Sequence, residues 1–280
     1  MKTQILSKLS IMAFLMAAIA TSFMACDDDD SNEPTLTGET KTYPLASVSN
    51  PAISGTIKFA ERSDNATVIT IDLDGTTTGN THPAHIHANS AVQTGGIIID
   101  LNAVNGETGK SETVVKKKND GTTISYDQLL QLDGYANVHL SATELTTLIA
   151  QGDIGQNELT TTSTTYTLTP VNASGVTGTV TFTKRVNDST LVKVDLDGVS
   201  ATGEYPVYIY DNNIVTTGPI AIDLNPVPGT TGVSYTSVTK LNSGTALTYD
   251  QLTDFNGHIG INTSPTDAAF LAQANIGSNQ

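Results

Sequence analysis

The sequence predicts an all-β protein built from two tandem copies of one domain, and three observations predict it. Apolar and polar residues alternate with period two through short β-branched stretches, the pattern of a strand with one buried face. Gly, Asn and Asp punctuate those stretches at short intervals, as turns between strands require. The chain also matches itself at a constant spacing: Gly55-Thr56 recurs as Gly178-Thr179, an offset of 123 residues (178 − 55). Many short strands with frequent turns point to a sandwich or a barrel. A repeat as long as a domain means two complete domains rather than solenoid units.

In chain order, the N-terminus comes first. Lys2 and Lys8 precede an apolar stretch from Leu9 to Ala20, and small residues lead to Cys26. A charged start, a short apolar core and a small-residue cleavage point read as a secretory signal over 1–25. Cys26 is the only cysteine, so export brings no intrachain disulfide and the lone thiol needs another role. The Phe23-Met24-Ala25-Cys26 run resembles the lipobox of bacterial lipoproteins, in which this cysteine carries the lipid, although Phe23 stands where Leu, Val or Ile is usual. The resemblance implies a membrane anchor at Cys26. Asp27–Asp30 read either as a solvated spacer or, by resemblance, as the acidic run that sends some lipoproteins to the outer face of the outer membrane. Residues 26–41 are expected to form a flexible tether.

The two copies are expected over 42–158 and 164–280. Tyr43 recurs as Tyr166, Asp72-Leu73-Asp74-Gly75 as Asp195-Leu196-Asp197-Gly198, Asp100-Leu101-Asn102 as Asp223-Leu224-Asn225, and Tyr126-Asp127-Gln128-Leu129 as Tyr249-Asp250-Gln251-Leu252. Near the end the offset slips by one, where Ile154-Gly155 matches Ile276-Gly277. Ile69, Ile71 and Leu73, like Val192, Val194 and Leu196, alternate with polar neighbours and predict half-buried strands. Ile97-Ile98-Ile99 and Ile220-Ala221-Ile222 suit strands covered on both faces. Ser141-Ala142-Thr143-Glu144 has the capping-box spacing and, with Leu145, Leu148 and Ile149, predicts a short helix. Ser264-Pro265-Thr266-Asp267 predicts its counterpart.

Four of the five histidines fall in the first copy: His82, His85, His87 and His139. On an extended segment His85 and His87 share a face, with Cα atoms roughly 6.6 Å apart, close enough for both imidazoles to reach one ion. Asn137-Val138-His139 reads as another strand, and His139 could complete a three-histidine site with His82 auxiliary. Neutral imidazole suits zinc, copper or nickel, of which copper or zinc is expected in the first domain. The bland alternative is hydrogen-bonded histidines on an exposed face. The second copy puts Tyr205, Tyr208, Tyr210 and Asn262 at the positions of His82, His85, His87 and His139. The histidines vanish as a group, which suggests that they act as a group. Tyr208 and Tyr210 would share a face, packing against a neighbouring domain or forming a platform for sugar or protein. His258 has Tyr135 at its counterpart position and receives no role.

Composition excludes some partners. The formal net charge is -15, and Lys116-Lys117-Lys118 is the only basic run, so nucleic acid is not expected as a partner.

The His85-Ile86-His87 motif after Leu73-Asp74-Gly75, the Asp133-to-His139 segment and Ala150-Gln151-Gly152-Asp153-Ile154-Gly155 together resemble the CHRD domain. That family is named for repeats in chordin and occurs in exported bacterial proteins. It is in turn similar to copper–zinc superoxide dismutase, a Greek-key, immunoglobulin-like β-sandwich. The resemblance covers nearly all of the first copy and implies two tandem sandwiches of that type. By motif, His85, His87 and His139 match copper ligands, but no second His/Asp cluster, cysteine pair or free guanidinium accompanies them, and an acidic surface repels superoxide. The expected function is a surface-anchored, non-enzymatic lipoprotein that binds a transition metal or ligand in its first domain, with a protein or glycan partner at the cell surface. The alternatives are a copper-dependent redox enzyme and a structural or adhesive envelope protein.

Overall fold

The computed structural model of the protein describes residues 33–280. The expected signal peptide, Cys26 and Asp27–Asp30 lie outside the described residues. Residues 34–280 form one compact unit, in which each copy is an eight-stranded antiparallel sheet.

In the first copy β1 (Leu36–Ser47), β2 (Ser54–Arg62), β3 (Thr67–Asp74), β4 (Thr81–Ala88), β5 (Ile97–Asn105), β6 (Lys110–Val115), β7 (Asp133–Ser141) and β8 (Glu144–Gly155) close into a barrel. Their spatial order is β1-β2-β3-β6-β5-β4-β7-β8. The second copy repeats the circuit with β9 (Leu159–Pro170), β10 (Thr177–Arg185), β11 (Thr190–Asp197), β12 (Glu204–Asp211), β13 (Ile220–Pro228), β14 (Val233–Val238), β15 (Gly257–Ser264) and β16 (Asp267–Ile276). Its order is the same circuit cut between β13 and β14.

One residue accounts for the cut. In the first copy the only ladder pair between β5 and β6 is Asn105 with Lys110. The counterpart of Asn105 is Pro228, which has no N–H to give to a ladder. In both copies a side chain reinforces this weak seam. Asn102 donates from Nδ2 to the Glu112 carbonyl, and Asn225 does the same to Tyr235, each at 2.7 Å. This gives the recurring asparagine of Asp-Leu-Asn a role.

The period-two strands bury their apolar face as expected. Ile69, Ile71 and Leu73 pack with Tyr43, Ile57 and Phe59 inside the barrel of the first copy, and Val192, Val194 and Leu196 pack with Tyr166 and Phe182 in the core of the second copy. Each such side chain contributes about 1.5–3 kcal/mol by leaving water. Two repeated glycines mark close approaches. Gly155 and Gly277 have φ of 60° and 57°, and a Cβ at either would lie 2.2 Å from the carbonyl oxygen of Leu132 or Phe255. Only glycine fits there.

Three expectations differ from the structure. Residues 36–41, expected in the tether, belong to β1, where Leu36, Thr40 and Lys41 pair with Arg62, Ala60 and Phe59. The isoleucine run of β5 is covered only in part: Ile99 is buried, Ile98 is partly buried and Ile97, at the start of the strand, is exposed. The helices expected at Ser141 and Ser264 are the tight turns of β7–β8 and β15–β16, with Ser141 paired to Glu144 and Ser264 to Asp267. A capping interaction worth about 1 kcal/mol yields there to a ladder that continues on both sides of the turn. The capping boxes are instead at Ser125/Gln128 and Thr248/Gln251, starting α1 (Tyr126–Leu130) and α2 (Tyr249–Thr253). Among the described residues no helix is long and apolar enough to cross a membrane.

Candidate metal centre

Strand alternation on β4 divides its side chains between two environments. Ala84 and Ile86 are buried in the barrel core. His85 and His87 point to the opposite, outer face. β7 lies antiparallel beside β4, with His85 opposite Asn137 and His87 opposite Tyr135. His139, two residues further along β7, projects from the same outer face next to a register shift in the β7–β8 pairing.

These three imidazoles converge. Each offers a ring nitrogen, and the three nitrogens lie within 4.8 Å of one another. His85 Nδ1 and His139 Nε2 are 3.1 Å apart and share one hydrogen bond. The His85 and His87 rings meet edge to face at 5.8 Å. His87 is fixed further by stacking on Tyr135 at 4.9 Å and by donating from Nδ1 to the Gly95 carbonyl at 2.9 Å. That bond sets the tautomer and leaves the His87 Nε2 lone pair buried and without a partner among the described residues. An imidazole oriented by a backbone carbonyl through its other nitrogen is the usual arrangement of a histidine ligand.

His87 and His139 are buried and His85 partly so. Burial holds His85 and His139 below the ordinary histidine value, and the mutual repulsion of charged rings pushes the same way. The exposed carboxylate of Asp100, 3.8 Å from His85 Nε2, opposes the shift at His85. Both shifts favour the neutral ring at His85 and His139, the protonation state that ligates.

His82 is not part of the cluster. Its even position on β4 puts it on the core side with Ala84 and Ile86, and it is buried there. Its Nδ1 donates to the Leu140 and His139 carbonyls at 2.8 and 3.2 Å. It therefore pins β4 to the backbone of β7 behind His139, a strand-tying role in place of the auxiliary-ligand role expected from the sequence.

In the second copy the same outer face is filled with rings. Tyr210 stacks on His258 at 5.0 Å and meets Phe270 edge to face at 5.4 Å, while Tyr208 lies 6.0 Å from Tyr210. Gly260 makes room: a Cβ there would come within 2.4 Å of Phe270. The tyrosines thus pack within their own domain. His258, which sequence reasoning left without a role, completes the counterpart of the His87–Tyr135 stack with the two residue types exchanged between strands. The exchange of His87/Tyr135 for Tyr210/His258 at the repeat offset was the signal that could have found it. The contribution of Gly95, made through its carbonyl, has no such signal.

Compared with known proteins, the chain matches no family model, no curated protein and no solved structure.

Proposed function

We propose that this protein is a surface-anchored, non-enzymatic lipoprotein of the CHRD type whose first domain holds one transition-metal ion, copper or zinc, through His85, His87 and His139. The observation that carries the reading is the convergence of three imidazoles, one of them with a buried ring nitrogen that has no partner among the described residues. Zinc–imidazole bonds of about 2.0–2.1 Å in tetrahedral geometry set ligand nitrogens about 3.3 Å apart. The 3.1 Å separation of His85 and His139 is already close to that value, and His87 needs only to close inward. The strand order supports the Greek-key reading, because β7 returns to lie beside β4 after the β4-β5-β6 meander. The leader and Cys26 support export and anchoring at the outer membrane, with a protein or glycan partner at the cell surface.

A binding role is favoured over superoxide dismutation. Arg62 is paired with Asp64 and Arg185 is fully buried, which leaves no guanidinium to draw an anion to the histidines. A net charge of -15 also repels superoxide.

Purified full-length chain carrying Cys26→Ser, saturated with zinc and desalted, is expected to retain one zinc per chain by elemental analysis, and His85→Ala/His87→Ala to retain none. Burial disfavours protonation of His85 and His139, so zinc should be released only as the pH falls below the ordinary histidine value of 6.5. Equal retention by the double variant would refute the site.

A further inference from the structure

We propose that Arg185, a residue of the second domain, is a positioning residue for the metal ligand His87 in the first. The proposal rests on the metal-binding reading above and adds to it a role for the second domain.

The connection runs through the segment 89–96, which leads from β4 to β5. Arg185 is 0 % exposed, and its Nη1 donates to Asp153 Oδ2 at 2.6 Å and to the Asn157 carbonyl at 2.8 Å. Asp153 uses its other oxygen to accept the Ala91 amide at 2.8 Å, and Asn157 donates from Nδ2 to the Asn89 carbonyl at 2.7 Å. The two residues held by Arg185 therefore anchor the start of the segment. Its end is tied to its start. The Gln93 and Thr94 amides both bond the Ser90 carbonyl, at 3.0 and 2.9 Å, and Asn89 Nδ2 bonds the Thr94 carbonyl at 2.9 Å. The next residue is Gly95, whose carbonyl orients His87. Thr94 has φ of 54°, a strained conformation for a β-branched residue that persists only where the surroundings over-determine it.

The second copy supplies the internal comparison. Asn275 stands where the first copy has Asp153, and its Oδ1 accepts the Ile214 amide at 3.0 Å, as Asp153 accepts that of Ala91. There a neutral side chain holds the segment. Arg62, the counterpart of Arg185, instead closes on Asp64 within its own domain. Anchoring by a charge from the neighbouring domain is thus particular to the copy that carries the histidines. Arg185 fixes the plane of the Asp153 carboxylate so that one oxygen meets Ala91, and the segment carries that restraint to Gly95.

The test uses the full-length Cys26→Ser chain and two readouts, zinc affinity by competition with a chromophoric chelator and the exchange rate of the His87 Nδ1 proton in the metal-free protein by nitrogen-15 NMR. Arg185→Met is expected to weaken zinc binding about 10- to 100-fold, as loss of an outer-shell partner does, and to speed exchange of that proton. Arg185→Met/Asp153→Asn is expected to recover both, since asparagine can take the Ala91 bond without a countercharge. Wild-type affinity and exchange in Arg185→Met would overturn the proposal, as would a loss that the double variant does not recover. If the unsubstituted chain takes up no zinc, the metal reading fails by itself, and the His87 proton still decides the coupling.

Discussion

Asp153→Ala is expected to destabilise the protein by about 3–5 kcal/mol, the range for removing one partner of a buried ion pair. The Arg185 guanidinium is fully buried, Asp153 is nearly so, and Nη1 to Oδ2 is 2.6 Å. Without the carboxylate, the charge stays out of water with only the Asn157 carbonyl to meet it. The same truncation also frees the Ala91 amide. The repeat provides a control in Asp64→Ala. Asp64 pairs with Arg62, the counterpart of Arg185, but both side chains are partly exposed, so water screens the charges and its loss should matter less. Urea unfolding of the three proteins measures both effects. Similar midpoints for wild type and Asp153→Ala would mean that the pair joining the two domains contributes little.

His139→Asn is expected to abolish stabilisation by zinc while leaving the metal-free fold intact. Asparagine occupies the corresponding position of the second copy, at Asn262, within the same strand pairing, so the backbone accommodates it. A ligand that binds only the folded state at one hundred times its dissociation constant adds about 2.7 kcal/mol. That increment should appear in the denaturation of the wild type and vanish in the variant, because the imidazole 3.1 Å from His85 is gone. An undiminished zinc effect in His139→Asn would place the ion elsewhere.

The fold was legible where side-chain pattern and backbone requirement coincide. Ile69, Ile71 and Leu73 alternate because a pleated strand has two faces, and the recurring glycines at 155 and 277 mark backbone too close for a Cβ. His85 and His87 could be put on one face for the same reason. Their meeting with His139 depends on the pairing of β4 with β7, across a gap of 54 residues between His85 and His139, which strand periodicity does not encode. His82 was grouped with them by proximity in sequence, and strand parity sends it the other way. The expected helices at Ser141 and Ser264 show a local signal outweighed by sheet pairing, while the capping boxes at Ser125 and Thr248 stand directly before the recurring Tyr-Asp-Gln-Leu, whose Gln128 and Gln251 complete them. The route from Arg185 to His87 was not legible, because two of its links are backbone groups, the Ala91 amide and the Gly95 carbonyl, which any residue type could supply.

The most direct test of the metal centre is the position of the ion itself. In crystals of the full-length chain grown with zinc, the anomalous difference map at the zinc edge is predicted to show one peak in the first domain, about 2.0–2.1 Å from ring nitrogens of His85, His87 and His139, with none at Tyr208 and Tyr210. Zinc found only against surface carboxylates, with the three histidines still hydrogen-bonded among themselves, would contradict the account.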